Sequence, residues 1–370
     1  MLDHLKNKRV VVAMSGGVDS SIAAALLVEK GCEVIGITIK THNFEDVGGN
    51  FAQESSCCSI DGINDAKLVA SKLGFPHYVL DFSKEFRKEV IDNFIKEYLS
   101  GNTPNPCVIC NRTIKWEALI RKALSLGADY IATGHFAKIR YDETSKRYIL
   151  SRGKDILKDQ SYALWGLTQD SLSRTIFPLS DYTKSEVREL ASKFGLNNAT
   201  KGESFEICFI PDDDYGRFLK EQNPDIVNKL EGGSFILDGK VVGKHKGYPF
   251  YTIGQRKGLG IVLGEPVYVS KIDANANIIY LGREVDLFHR GLIARDVNLI
   301  AVDNLKNGMR VNAKVRYKDE GSEAFAVETE PGKLQVVFDK PKRAITPGQS
   351  VVLYYKDDVV GGGIIDKVIE

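Results

Sequence analysis

Two groups of residues in this chain have types and spacing that can do chemistry. The first is Val10-Val11-Val12-Ala13-Met14-Ser15-Gly16-Gly17-Val18-Asp19-Ser20-Ser21, an apolar β-branched run that enters a turn of glycines and hydroxyls and then a predicted helix over residues 19–30. Gly16 and Gly17 let backbone approach an anion with no side chain between, Ser15, Ser20 and Ser21 offer hydroxyls, and the helix points the positive end of its dipole at the same place. This reads as a site for the phosphates of ATP. It is not a Walker A loop, because no lysine follows the last glycine to reach a β- or γ-phosphate. Asp19 is a candidate partner for Mg²⁺, since a hard cation takes carboxylate oxygen. The structural alternative is a tight strand-to-helix turn capped by serine.

The second group is thiol. Cys107 and Cys110 lie in Gly101-Asn102-Thr103-Pro104-Asn105-Pro106-Cys107-Val108-Ile109-Cys110-Asn111-Arg112, a proline-stiffened loop running into a helix predicted from Thr113. A helix N-terminus raises the thiolate fraction of a nearby exposed cysteine, so both are reactive-thiol candidates. Cys208 sits far downstream, and two separated thiols suit a relay. The alternatives are structural zinc for the closely spaced pair and core packing for Cys208; zinc wants four ligands, and no second close Cys or His pair follows. Cys32 reads as core, and no role follows for Cys57 or Cys58.

Elements must position these groups. Up to about residue 200, short β-branched runs alternate with amphipathic helices, which predicts an α/β domain with a doubly wound parallel sheet. Strands are expected at 10–14, 33–39, 77–81 and 130–133, and helices at 63–73, 86–99 and 114–126. Ligands of such sheets bind beyond the carboxyl ends of the strands, where the loop 15–21, the segment 38–59 and Thr133-Gly134-His135 all fall. After about Pro211 the texture becomes short β runs parted by Gly, Asn and Asp, at 233–237, 240–243, 267–272, 278–281, 309–315 and 335–338, which predicts an all-β half. The last segments alternate as a small barrel would. The expected domains are 1–210, 211–290 and 291–370.

Composition sets outer bounds: 370 residues, 43% hydrophobic and 27% charged, describe an ordinary globular protein of two or three domains. A net charge of +1 gives no global basic field, so RNA contacts would have to come from local patches. One such patch is Lys244-His245-Lys246-Gly247-Tyr248 with Gln255-Arg256-Lys257. The N-terminus carries no apolar signal region and no apolar stretch approaches the roughly 20 residues of a membrane span, so a cytoplasmic protein is expected. Six cysteines are too few for a disulfide scaffold.

The loop at Ser15 resembles the SGGxDS loop of the ATP pyrophosphatases, enzymes that cleave ATP between the α- and β-phosphates and place AMP on a carbonyl oxygen. Over almost its whole length the chain is similar to one family of that superfamily, the tRNA-specific 2-thiouridylases. The motifs that carry the resemblance are Ser15-Gly16-Gly17-Val18-Asp19-Ser20-Ser21, Thr103-Pro104-Asn105-Pro106 with Cys110-Asn111, and Ala132-Thr133-Gly134-His135-Phe136-Ala137. Asp65-Ala66 with Leu73-Gly74 and Asp81-Phe82, Lys158-Asp159-Gln160-Ser161-Tyr162, Ile207-Cys208-Phe209-Ile210 and Tyr251-Thr252-Ile253-Gly254-Gln255-Arg256-Lys257-Gly258-Leu259-Gly260 complete it.

The resemblance implies an N-terminal ATP pyrophosphatase domain, a central tRNA-contacting domain and a C-terminal β-barrel. It implies ATP-dependent replacement of the C2 oxygen of wobble uridine 34 in tRNA by sulfur, with Cys208 carrying a persulfide from a sulfur-carrier protein and Cys110 releasing the sulfur as a Cys110–Cys208 disulfide forms. ATP contacts carry over to Ala13, Met14, Ser15, Gly16, Gly17, Val18, Asp19, Ser20, Ile39 and Gly134. Target-base contacts carry over to Asn105, Pro106 and Cys107, and tRNA contacts to His135, Lys158, Asp159, Gln160, Arg316, Tyr317 and Gln349. One departure stands out: the best-known members have aspartate where this chain has Cys107. A thiol is a poorer general base and a better soft-metal ligand, so Cys107, Cys110 and Cys208 are also candidate ligands of an iron–sulfur cluster that would deliver sulfur without a persulfide. Rival readings are an amide-forming ATP pyrophosphatase ligase and a non-catalytic RNA-binding protein.

Overall fold

Residues 2–42, 60–196, 198 and 207–370 are described by a computed structural model. Cys57, Cys58 and most of the segment 38–59 lie outside the described residues. In chain order the first half reads β1 (Arg9–Ala13), α1 (Val18–Glu29), β2 (Glu33–Lys40), α2 (Ile60–Leu73), β3 (His77–Asp81), α3 (Ser83–Phe86), α4 (Asp92–Leu99), α5 (Pro106–Cys110) and α6 (Leu119–Ser125). It continues with β4 (Tyr130–Ala132), β5 (Ala137–Asp142), β6 (Arg147–Arg152), α7 (Gln169–Ser173), β7 (Thr175–Ile176) and α8 (Lys184–Lys193). The second half holds α9 (Tyr215–Gln222), α10 (Pro224–Leu230), β8 (Gly233–Leu237), β9 (Lys240–His245), β10 (Tyr268–Asp273) and β11 (Ile278–Gly282). Six strands close it: β12 (Phe288–Leu299), β13 (Met309–Lys314), β14 (Ser322–Glu330), β15 (Lys333–Arg343), β16 (Ser350–Tyr355) and β17 (Asp358–Ile369).

The chain divides into two compact units. The first comprises Met1–Val90, Cys107–Asp213 and Asp357–Val359. Its core is a five-stranded sheet in the order β3-β2-β1-β4-β7, every neighbouring pair parallel. Val10, Val11 and Val12 of central β1 are wholly buried, as a strand covered on both faces requires. This is the predicted α/β architecture. The two-residue β7 is too short to carry a periodic signal; the β5–β6 hairpin is not among the expected strands, although Ala137-Lys138-Ile139-Arg140-Tyr141-Asp142 alternates apolar and polar.

Two helices differ from expectation, and two more, α9 and α10, stand at the start of the half expected to be all β, where Asp214 caps α9 and Pro224 opens α10. The stretch read as one helix over 86–99 contains a π-helical turn at Arg87–Ile91 between α3 and α4. The helix expected from Thr113 starts at Pro106, continues through a π-helical segment at Asn111–Ala118 and ends in α6. A proline at the first helical position loses an N–H that would have had no partner anyway, so Pro106 opens the helix rather than preceding it.

The second unit comprises Ile91–Pro106, Asp214–Lys356 and Val360–Glu370. Here α4 packs through Tyr98, stacked on Tyr215 at 4.9 Å, and Phe94, edge-on to Phe218 at 6.1 Å. A four-stranded sheet runs β10-β11-β8-β9, and six strands in the order β12-β15-β14-β13-β16-β17 close into a barrel through β12–β17 pairing. Leu292, Ala313, Val336, Val351 and Leu353 fill the barrel and are inaccessible to solvent.

Candidate active site

The glycine and hydroxyl turn lies at the carboxyl end of β1, the central strand. Gly16 has φ +75°, and a Cβ there would sit 2.1 Å from the Gly62 carbonyl oxygen of α2, so only glycine fits. The Ser20 hydroxyl accepts from the Ser15 N–H (3.2 Å) and donates to the Gly17 carbonyl (3.1 Å), while the Ser21 hydroxyl donates to the same carbonyl (2.9 Å). The turn is thus folded on its own side chains. Gly17 stands at the start of α1, and no side chain caps that end. A Cβ on Gly134 would come within 2.6 Å of the Asp19 and Ser20 backbone, so the loop leaving β4 lies against the first turn of α1. Behind the turn Met14 is buried, Thr38 of β2 donates to the Met14 carbonyl (2.8 Å), and Ala13 and Ile39 are half-buried. Gly16, Gly17, Gly134, Ser15 and Ser20 therefore share one cradle in the first unit.

Two further residues join it that sequence reasoning missed. Lys184, 8% exposed, places Nζ 2.7 Å from both carboxylate oxygens of Asp19 and 5.8 Å from the Phe136 ring centroid. Asp19, expected to bind Mg²⁺, has both oxygens on this ammonium. A capping box of Thr183 and Glu186 sets the start of α8, and the Lys184 N–H donates to Asp155 (2.9 Å). Asn198 donates from Nδ2 to the Gly16 carbonyl (3.0 Å) and to Ser21 Oγ (2.8 Å). Its buried Oδ1 has no hydrogen-bond partner among the described residues. The Thr183-Lys184-Ser185-Glu186 pattern could have located α8; nothing local marks Asn198.

His135 is held between Trp116 (ring centroids 5.5 Å apart) and Phe177 (6.0 Å), with Nδ1 2.7 Å from Thr133 Oγ1. The residue is half-buried against these two aromatic rings. Burial, reinforced by the nearby Lys115 ammonium, pushes its pKa down to about 3, so the imidazole is neutral. Among its neighbours in the expected tRNA set, Gln160 pairs with Phe136 through both side chain and backbone (3.0 and 2.9 Å). Asp159 is buried and accepts from the Gly153 N–H and from the N–H and hydroxyl of Ser161. Burial raises its pKa, against the pull of those hydrogen bonds. Asp159 is an internal brace, while Lys158 is half-buried and Leu157 is 93% exposed.

All four described cysteines are thiols: Cys107 exposed, Cys110 buried, Cys32 and Cys208 half-buried. Cys110, Cys107 and Cys208 belong to the first unit, with the glycine and hydroxyl cradle. Asn111, next to Cys110, donates to the Ala163 carbonyl (3.0 Å), and Phe209, next to Cys208, packs edge-on against Phe86 at 5.7 Å. Cys32 donates to the Leu5 carbonyl (3.4 Å) and packs against the core. Among the described residues no group of three or more His, Cys, Asp or Glu is arranged to hold a metal ion.

Asn105, Pro106 and Gln349 lie in the second unit. There Gln349 Nε2 donates to the carbonyls of Thr103 (2.8 Å) and Pro104 (3.3 Å). Arg316 and Tyr317 are exposed on the loop from β13 to β14. That loop is tied by Asp319, which accepts from the N–H of Val315 (2.9 Å) and Gly321 (3.2 Å) and from Lys342 Nζ (2.6 Å). Of the expected basic and aromatic patch, Lys244, Lys246, Arg256 and Lys257 reach the surface, but His245 and Tyr248 are buried, Tyr248 donating to the Leu99 carbonyl.

A parallel sheet carrying a phosphate cradle at the carboxyl end of its central strand defines a nucleotide-binding α/β domain, here followed by a small β domain and a β-barrel. Family models agree in order: a tRNA methyl transferase HUP domain matches residues 8–212, a tRNA methyl transferase PRC-barrel domain 217–283 and an aminomethyltransferase beta-barrel domain 289–365. The chain is 53% identical over 365 residues to the tRNA-specific 2-thiouridylase MnmA of Salinibacter ruber, covering 98% of this chain and 95% of that one. It is 53% identical to the protein of the same name from Amoebophilus asiaticus (98% and 96% covered) and 49% identical to that of Carboxydothermus hydrogenoformans (99% and 100%). The chain belongs to the tRNA-specific 2-thiouridylase family, and as such is a tRNA sulfurtransferase.

Proposed function

We propose that this protein thiolates the wobble uridine of tRNA at C2, with ATP as activator and a persulfide as sulfur source. A uracil carbonyl is a poor electrophile whose oxygen leaves badly. Attack of O2 on the α-phosphorus breaks the bond to pyrophosphate and turns that oxygen into part of AMP. The terminal sulfur of a Cys208 persulfide, taken from a donor persulfide, then attacks C2 as the C–O bond breaks and AMP departs. Cys110 thiolate attacks the Cys208 sulfur, the S–S bond to the base breaks, and 2-thiouridine is left beside a Cys110–Cys208 disulfide that an external dithiol reduces with two electrons.

Lys184 has the charge to neutralise departing pyrophosphate, and Asp19 holds its ammonium at the cradle. Mg²⁺ on the phosphates would supply further charge, with Asp19 as the carboxylate at hand. A neutral His135 suits hydrogen bonding to a base or sugar rather than pairing with phosphate. No described helix is long and apolar enough to cross a membrane, and a tRNA substrate puts the work in the cytoplasm.

The observation that carries this reading is the glycine cradle of Gly16 and Gly134 in the same compact unit as Cys110 and Cys208. Nucleoside mass spectrometry on unmodified tRNA incubated with ATP, Mg²⁺ and a persulfide donor tests it. The expected result is 2-thiouridine with the wild type, none with Cys208→Ser, and pyrophosphate release retained in that variant. Absence of both 2-thiouridine and pyrophosphate with the wild type would overturn it.

A further inference from the structure

We infer that Gln349 is a positioning residue, a latch on the backbone that leads into Asn105 and Pro106. The inference rests on the proposed role of those two residues at the target base.

The segment Thr103-Pro104-Asn105-Pro106 needs an outside donor. Its two prolines lack N–H groups and bias the residues before them toward extended backbone, so the segment is rich in carbonyls that no local ladder can satisfy. Gln349 Nε2 meets this need, donating to the Thr103 carbonyl at 2.8 Å and the Pro104 carbonyl at 3.3 Å. In return the Thr103 N–H donates to the Pro347 carbonyl at 2.9 Å. Gly348 completes the fit: its φ is +90°, and a Cβ there would come within 2.9 Å of Asn102 Cβ and of the Thr103 nitrogen.

The turn that supplies these contacts is itself fixed. Gly348 N–H donates to the Ile365 carbonyl (2.9 Å), Ile365 N–H to the Gln349 carbonyl (2.8 Å), and Gln349 N–H to the Thr346 carbonyl (3.2 Å). A second tether holds the segment upstream, where Arg295 of β12 bonds Glu97 (2.9 Å) and Glu97 accepts from the Asn102 side chain (2.7 Å). The barrel is therefore a template for this loop, and Gln349, with its amide N–H groups spent on the loop's carbonyls, acts through Asn105 and Pro106.

Gln349→Met keeps the volume and removes the donors. Three measurements separate the roles: hydrogen exchange of peptides spanning residues 99–110 without RNA, tRNA affinity by filter binding, and single-turnover thiolation at saturating tRNA. The latch predicts faster exchange at Thr103, tRNA affinity within about twofold of wild type, and a saturating rate lower by about 100-fold, the usual cost of misplacing reacting groups by an ångström. Weaker tRNA binding with exchange and saturating rate unchanged would make Gln349 an RNA contact and overturn the latch, as would no change in any of the three. If the wild type made no 2-thiouridine, the proposed function would fail, yet the exchange measurement would still decide the latch.

Discussion

The glycine and hydroxyl cradle after β1 and the loop 103–106, proposed to lead into the target-base contacts, are built in opposite ways. The cradle is folded largely on itself: Ser15, Ser20 and Ser21 bond within a few residues of one another, and Gly16 is demanded by a close approach of α2. The loop 103–106 has almost nothing local to hold it and takes its shape from Pro347, Gly348 and Gln349 at the far end of the chain. Self-folded turns announce themselves in a motif; a loop shaped from outside does not. On the proposed function the difference also assigns risk, since a substitution in the cradle would strike chemistry directly while one in the barrel turn would strike it at a distance.

Gly16→Ala should have the largest effect on turnover. Left-handed backbone and a Cβ driven into the Gly62 carbonyl together cost about 2 to 4 kcal/mol. ATP binding by calorimetry should be lost while tRNA binding survives; equal loss of both would deny the cradle its local character.

Lys184→Met comes next. Asp19 loses two charge-assisted contacts, but it is a third exposed, so the expected stability loss is about 1 kcal/mol. Pyrophosphate release should fall much further than that loss explains, and in an Asp19→Asn/Lys184→Met double variant the effects should be strongly non-additive. Additive effects would separate the two residues.

Lys342→Met tests a third loop, the one bearing Arg316 and Tyr317, and should alter turnover least. Burial by itself raises the Asp319 carboxyl, but the Lys342 ammonium and the Val315 and Gly321 N–H groups outweigh it and hold the carboxyl below the usual range. Asp319 thus contributes stability that is present above a pH of about 4 and is lost as pH falls through its lowered folded-state value. The variant should lose about 2 kcal/mol near neutrality, measured by denaturant unfolding, and the gap from wild type should narrow in acid. A gap that stays constant with pH would show that the ion pair is not what holds the loop.

Much of the fold was legible. Val10, Val11 and Val12 run without a polar residue, as a doubly covered strand must, and the β texture matches the sheet and barrel found from residue 233 onward, while α9 and α10 at 215–230 break the all-β expectation. What escaped was partly short or atypical, as with the two-residue β7, the π-helical segments and a helix begun by Pro106 within a run that reads as loop, and partly regular, as with α8, α9, α10 and the β5–β6 hairpin. At the site, Gly16 and Asp19 carry their meaning in the motif, whereas Asp159 and Gln349 turn their polar groups inward, to partners that residue type alone could not name.

By itself, the sequence determined the elements whose cause is local: hydrophobic period, glycine in a left-handed turn, hydroxyls within reach of their own backbone. Only the tertiary structure decided which distant groups meet, because Lys184 reaches Asp19 across 165 residues and Gln349 reaches Thr103 across 246. Such pairings depend on how sheet and barrel fold the chain back on itself, and a hydrogen bond made at 2.7 or 2.8 Å leaves no trace in residue spacing.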